Sequence, residues 1–235
     1  MFRLQELKKE TKKIADPKRA KLLQGFFKTG KGEYGEGDIF YGITVPESRK
    51  IAKKFKGLKF SDIQKLLKSK IHEERLIAIL VLVHNFENGN SADQNKIYNF
   101  YLESTRYINN WDLVDLSAYK IIGRYLDNKP KTILCELAKS KSLWEKRIAI
   151  IATAWFIKNK KFGDTLKISE ILLKDEHDLI HKAVGWMLRE VGKRDIKTEE
   201  KFLKKHYKKM PRTMLRYAIE RFPKKRRKFY LNKKP

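Results

Sequence analysis

Trp111 and Asp115 stand four residues apart in the stretch Asn109-Asn110-Trp111-Asp112-Leu113-Val114-Asp115, a spacing that places both on one face of a helix. Asn110 suits the N-cap of that helix, since its side-chain oxygen can accept an amide of the first turn. An aromatic face carries negative charge density, so a tryptophan beside a carboxylate suits a cationic guest. Two later stretches repeat an aromatic next to a basic residue near a helix start: Trp144-Glu145-Lys146-Arg147 and His181-Lys182-Ala183-Val184-Gly185-Trp186. The three are expected to line one groove. Taken alone, each has a plainer reading. Asp115 would serve as a surface ion-pair partner, Trp111 and Trp186 as core, and Arg147 and Lys182 as solvated charges. Trp144 and Trp155 read as packing residues.

The elements that must position these side chains are helical. Apolar residues recur at helical spacing, with no sustained alternation that would mark strands. Asp16-Pro17 reads as N-cap and first position of a helix reaching about Phe27, and Pro46 suits the first turn of another, with Thr44 or Val45 before it. From Ser61 the pattern becomes regular. First helices of successive pairs are expected near Ser61, Ala92, Pro130, Asp164 and Thr198, about 31 to 38 residues apart, the period of helix-hairpin repeats. Pro211 and Pro223 punctuate the last two helices. The fold expected is an all-α solenoid, a single domain over 1–235 with a concave basic groove. Basic residues recur near the starts of second helices, at Arg75, Arg147, Lys182 and Arg216, where a row of them would track a phosphate backbone. Segment 28–38 is glycine-rich, lacks the Gly-Lys-Ser/Thr ending of a phosphate-binding loop and reads as a mobile surface loop.

Composition narrows the partners. Fifty-five Lys and Arg against 28 Asp and Glu give a formal charge of +27, a field that bears on partners and not on fold. Nucleic acid ranks first, an anionic membrane surface second, an acidic protein third. The basic cluster in the tail, 223–235, either adds non-specific DNA affinity or is a solvated terminus. One cysteine, Cys135, excludes an internal disulfide and a cysteine-based zinc site, and the five histidines suggest no metal. The apolar run Ile77 to Val83 is far too short to span a bilayer, and the charged N-terminus lacks a signal-peptide core. A soluble, cytoplasmic monomer that meets the nucleoid through DNA is expected, with no metal or cofactor.

Four stretches, in order, carry a family resemblance: Phe40-Tyr41-Gly42-Ile43 with Pro46-Glu47-Ser48-Arg49, then Trp111 to Asp115, Leu143 to Ala149, and Ala183 to Glu190. Together they resemble the AlkD-like DNA alkylation repair family. That resemblance implies a solenoid of HEAT-like repeats wrapping duplex DNA. It also implies a monofunctional glycosylase that removes cationic N3- or N7-alkylated purines without inserting the base into a pocket. It places the catalytic aspartate at Asp115, the flanking tryptophans at Trp111 and Trp186, and the arginine at Arg147. Lys146, Lys182, Arg189, Arg75 and Arg216 become candidate DNA contacts. The chain departs from the family pattern twice. Where the family has an active-site tyrosine it offers Phe26 or Phe27, and where the family has a further basic residue it has Trp155. The alternative expectation is a non-catalytic HEAT-repeat protein that binds distorted or branched DNA.

Overall fold

Asp16 caps the second helix by accepting the amide of Arg19, and Pro17 fills its first turn, where an amide would have no partner anyway. Thr44 opens the third with a full capping box: its hydroxyl accepts from the Glu47 amide while the Glu47 carboxylate reaches back to the Thr44 amide. A computed structural model describes residues 2–232 of the chain, and among these every regular element is helical. The contacts divide the chain into two units, 1–117 and 118–235.

The first unit contains α1 (Phe2–Lys13), α2 (Pro17–Phe26), α3 (Val45–Lys54), α4 (Phe60–Leu67), α5 (His72–Asn88) and α6 (Ser91–Glu103), and the division falls at the end of α7 (Trp111–Ala118). Its axis is α5, apolar all round from Leu76 to Val83 and correspondingly buried. Helices α3, α4 and α6 pack on it. The N-terminus of α5 is closed by a short parallel bridge between Ile39 and Ile71, in which the Ile39 carbonyl accepts the His72 amide at 2.8 Å. The chain before α3 makes a close approach that only glycine permits. Gly42 has φ +80°, and a Cβ there would lie 2.2 Å from the Asp16 carbonyl oxygen.

The second unit opens with a π-helical turn, Tyr119–Gly123, followed by α8 (Thr132–Ala138), α9 (Leu143–Ala152), α10 (Ala154–Lys158), α11 (Gly163–Ile171), α12 (Asp178–Gly192), α13 (Ile196–His206), α14 (Arg212–Ala218) and α15 (Lys224–Asn232). Here α12 is the centre, packed by α9, α13 and α14. Gly185 lets α14 come close, since a Cβ there would meet the Met214 carbonyl at 2.4 Å and Tyr217 at 2.5 Å.

Most expected helices start within two residues of their sequence reading, and the shifts have local causes. The helix expected to open at Pro130 begins at Thr132, behind the uncapped Lys131. The one expected at Thr198 begins at Ile196, because Asp195 accepts the amides of both Lys197 and Thr198. Thr153 divides α9 from α10 by donating its hydroxyl back to the Ile150 carbonyl at 2.7 Å. No helix among the described residues is long and apolar enough to cross a membrane. The tail's basic residues 224–228 lie on α15, which Tyr230 anchors, and the part of the tail beyond 232 lies outside the described residues.

Candidate functional site

Asn110, fully buried, accepts the Trp111 amide with its side-chain oxygen at 2.8 Å and so opens α7. Behind α7, Ser117 donates to the Leu113 carbonyl at 2.6 Å and meets the Tyr101 hydroxyl at 2.8 Å. Burial holds the Tyr101 phenol above its ordinary pKa, so it stays neutral. Fixed in this way, Trp111 and Asp115 line one cavity of about 370 Å³, together with Leu23, Phe26, Phe27 and Phe40. Phe27 lies flat on Trp111, with ring centroids 5.1 Å apart and planes 13° apart. Phe40 stacks on Phe27 at 5.0 Å, and His72 on Phe40 at 4.5 Å. Phe26, 64% exposed, meets the Trp111 ring edge-on at 5.8 Å. Of the two candidates for the tyrosine position, Phe27 is the one buried in the stack, and neither carries a hydroxyl.

Under the aromatic wall lies a charge network that the sequence reading did not find. His72 points one ring nitrogen at Asp112, 2.8 Å away, and the other at Asp38, 3.2 Å away. The same Asp38 oxygen accepts from Arg75 at 2.5 Å and from Asn110 at 3.3 Å. Burial by itself would lower the His72 pKa, but the charge and hydrogen bond of Asp112 and the bond to Asp38 outweigh it. They hold the imidazole up at about 9, against a smaller opposing effect of Arg75. For Asp38 burial works to raise the pKa, yet the His72 hydrogen bond and the Arg75 charge keep the carboxyl below its ordinary value. Two cations and two anions thus balance out of water. Glu73, beside His72 on α5, accepts the amides of Tyr41, Gly42 and Ile43 at 2.8–3.1 Å. That fixes the segment carrying Phe40. Sequence spacing gave no sign of this network, because the carboxylates lie 34 to 40 residues from the His72 and Arg75 that they bond.

Arg75, expected at the DNA surface, is 3% exposed and committed to Asp38 and to the Ser69 carbonyl. It belongs to the interior charge balance, and we remove it from the candidate phosphate contacts. Segment 28–38 is also more than a surface loop. Its tip is exposed, but its amide at Gly35 bonds the Lys28 carbonyl and its last residue, Asp38, is buried.

The remaining candidates belong to the second unit. Arg147, on α9, is 5% exposed and donates to the Leu179 carbonyl at 2.6 Å. Trp186, on α12, is half-buried. Lys146 pairs with Asp175 at 2.6 Å, Lys182 with Asp178 at 2.7 Å, and Arg189 with Glu220. Arg216 is exposed and borders a hollow with Tyr217 and Arg227. Trp144 and Trp155 are half-buried, and the Arg124 guanidinium lies 5.6 Å over the Trp155 ring. His177 and His181 stand four residues apart. The His177 ring, however, accepts the Leu179 amide, and the His181 ring bonds the Asp175 carbonyl. Among the described residues no cluster of three or more His, Cys, Asp or Glu is placed to hold a metal.

An all-helical protein with an aromatic-walled cavity and a carboxylate on its lining is the class that fold and site define. The model of the DNA alkylation repair enzyme family matches residues 7–222, and the chain belongs to that family. A solved structure described as a predicted DNA alkylation repair enzyme from Enterococcus faecalis shares the fold. It is 17% identical, with a TM-score of 0.70 over 89% of this chain and 97% of that one. No curated protein matches the chain. Membership supports a role in the repair of alkylated DNA and points to DNA as the partner.

Proposed function

We propose that the protein is a monofunctional glycosylase that excises cationic N3- or N7-alkylated purines, such as 3-methyladenine and 7-methylguanine, from duplex DNA. The observation that carries the reading is the shared placement of Trp111 and Asp115 on one aromatic-walled cavity. Alkylation at N3 or N7 gives the purine a positive charge and makes it a good leaving group. The C1′–N bond breaks with both electrons going to the purine. The sugar cation left behind needs a negative charge nearby and a positioned water. Asp115 supplies the charge. It also orients the water, whose oxygen bonds C1′ and whose proton passes to the carboxylate or to solvent. No amine nucleophile takes part, so the strand is left intact at an abasic site.

Trp111 contacts the lesion nucleotide through its ring, a cation–π contact contributing about 1–2 kcal/mol where water is excluded. Phe27 keeps that ring in place from one face. Trp186 and Arg147 are assigned by the family motif: Trp186 as a second aromatic contact, Arg147 as the holder of a phosphate beside the lesion. Lys146, Lys182, Arg189 and Arg216 are proposed as phosphate contacts. The first three would exchange their present carboxylate partners for phosphates on binding.

The test is the product. Incubation with methylated duplex DNA is expected to release free 3-methyladenine or 7-methylguanine, and to leave strands that break only when abasic sites are cleaved by alkali. DNA binding without release of base would overturn the glycosylase reading in favour of a binder of distorted DNA.

A further inference from the structure

The glycine-rich segment 28–38 has no role in the chemistry above, yet it ends on a buried carboxylate. Three pieces of chain converge on His72. The segment contributes Asp38, α7 contributes Asp112, and the end of α2 contributes Phe27, whose ring centroid is 4.9 Å from the imidazole. Asp112 follows Trp111 directly, and Phe27 is the ring stacked on Trp111. We propose that His72 is a positioning residue of the excision reaction: it fastens the glycine-rich segment, through Asp38, to the first turn of α7, through Asp112. In this way it fixes the stack that holds Trp111 and, one turn on, Asp115. The proposal rests on the glycosylase reading for its consequence, but the clamp can be tested without it.

The geometry carries the argument. A neutral imidazole has one N–H and one lone pair, so it can donate to only one of two carboxylates. With a carboxylate at each ring nitrogen, the clamp is complete only as the imidazolium. Loss of the proton turns a lone pair toward Asp38 or Asp112 and opens that side. The charged groups facing the ring are Asp38 from the segment, Asp112 from α7, and Arg75 from its own helix, whose guanidinium nitrogen is 3.4 Å away. Asn110 completes the Asp38 oxygen, and the neighbouring Glu73 is directed to the amides of residues 41–43. The segment also rests against the site just ahead of Asp38. A Cβ on Gly35 would lie 2.4 Å from the Phe27 carbonyl oxygen, so its backbone rests against the residue that backs Trp111.

The experiment compares the wild type with His72→Gln, which can reach one carboxylate but can neither bridge both nor become charged. In single turnover at saturating protein, excision is expected to slow about tenfold to a hundredfold, with affinity for lesion duplex changed by less than about threefold. The wild-type rate is expected to fall above about pH 9, where His72 deprotonates, while the variant shows no such limb. In the DNA-free protein, a tryptophan fluorescence transition near the same pH is expected, absent from both His72→Gln and Trp111→Phe. A wild-type rate and pH profile in His72→Gln would overturn the proposal, as would a fluorescence transition that survives in it. If the wild type releases no base, the glycosylase reading falls while fluorescence still decides the clamp. Should His72→Gln fail to fold, Asp38→Asn keeps the shape and removes one anion. It is then expected to lower the alkaline midpoint, and an unchanged midpoint would overturn the proposal.

Discussion

At the scale of single residues, Asp115 and Trp111 share one cavity lining with the charges and rings around them. Asp38 and Asp112 are occupied by His72 and its neighbours, and Glu73 by three backbone amides. Asp115 lies on the cavity lining beside Trp111, as Asp112 and Glu73 also do. This pairing was legible in the sequence because it is local: four residues on one helix fix the relation of two side chains whatever the rest of the chain does. The His72 network was not legible, because nothing local links a histidine to aspartates 34 residues before it and 40 after it. Arg75 misled for the same reason. Its position near a helix start matched the other basic residues, and only Asp38 decides that it is buried. Phe27 carries a prediction at this scale. Phe27→Ala removes the ring stacked on Trp111 and leaves a cavity in the first unit. A loss of about 3–5 kcal/mol in unfolding free energy is expected by denaturant titration.

At the scale of elements, the charge network makes stability depend on pH. The His72 pKa is raised from 6.5 to about 9 on folding. Its contribution is therefore fully present below pH 6.5 and is lost as pH rises through about 9. Asp38, whose pKa is lowered below 3.8, contributes above that value and is lost as pH falls. Unfolding measured from pH 6 to 10 is expected to show a decline in stability that is absent in His72→Gln. Glu73→Ala frees three amides of the segment carrying Phe40, and a loss of roughly 2–4 kcal/mol is expected in chemical denaturation. Gly185 tests the second unit. Gly185→Ala puts a methyl against the Met214 carbonyl, and a loss of about 1–3 kcal/mol is expected on the same measurement. Helix existence was readable from apolar spacing and from prolines, as at Pro17, Pro46, Pro211 and Pro223. Helix starts were readable only where the capping residue was recognised. Thr44, one of the two residues expected before Pro46, caps its helix, whereas Asp195 captured a start that Thr198 was expected to hold.

At the scale of the whole molecule, the family match and the fold likeness run through both units, and a net charge of +27 supplies an attraction to DNA that does not depend on sequence. Between about 50 and 200 mM salt, affinity is expected to fall by roughly 10³–10⁵ if six to ten phosphates are engaged. Lys182→Ala is expected to weaken binding alike on damaged and undamaged duplexes, and to reduce the salt slope by about one. A variant that lost only the preference for the lesion would contradict the assignment of Lys182 to a phosphate.

The most direct test of the central claim is the single-turnover rate of base release from a duplex carrying one 7-methylguanine, measured for the wild type and for Asp115→Asn with DNA binding followed in parallel. The account predicts a rate lower by about 10²–10³ in the variant, with affinity for the duplex retained. Base release at the wild-type rate by Asp115→Asn would contradict it.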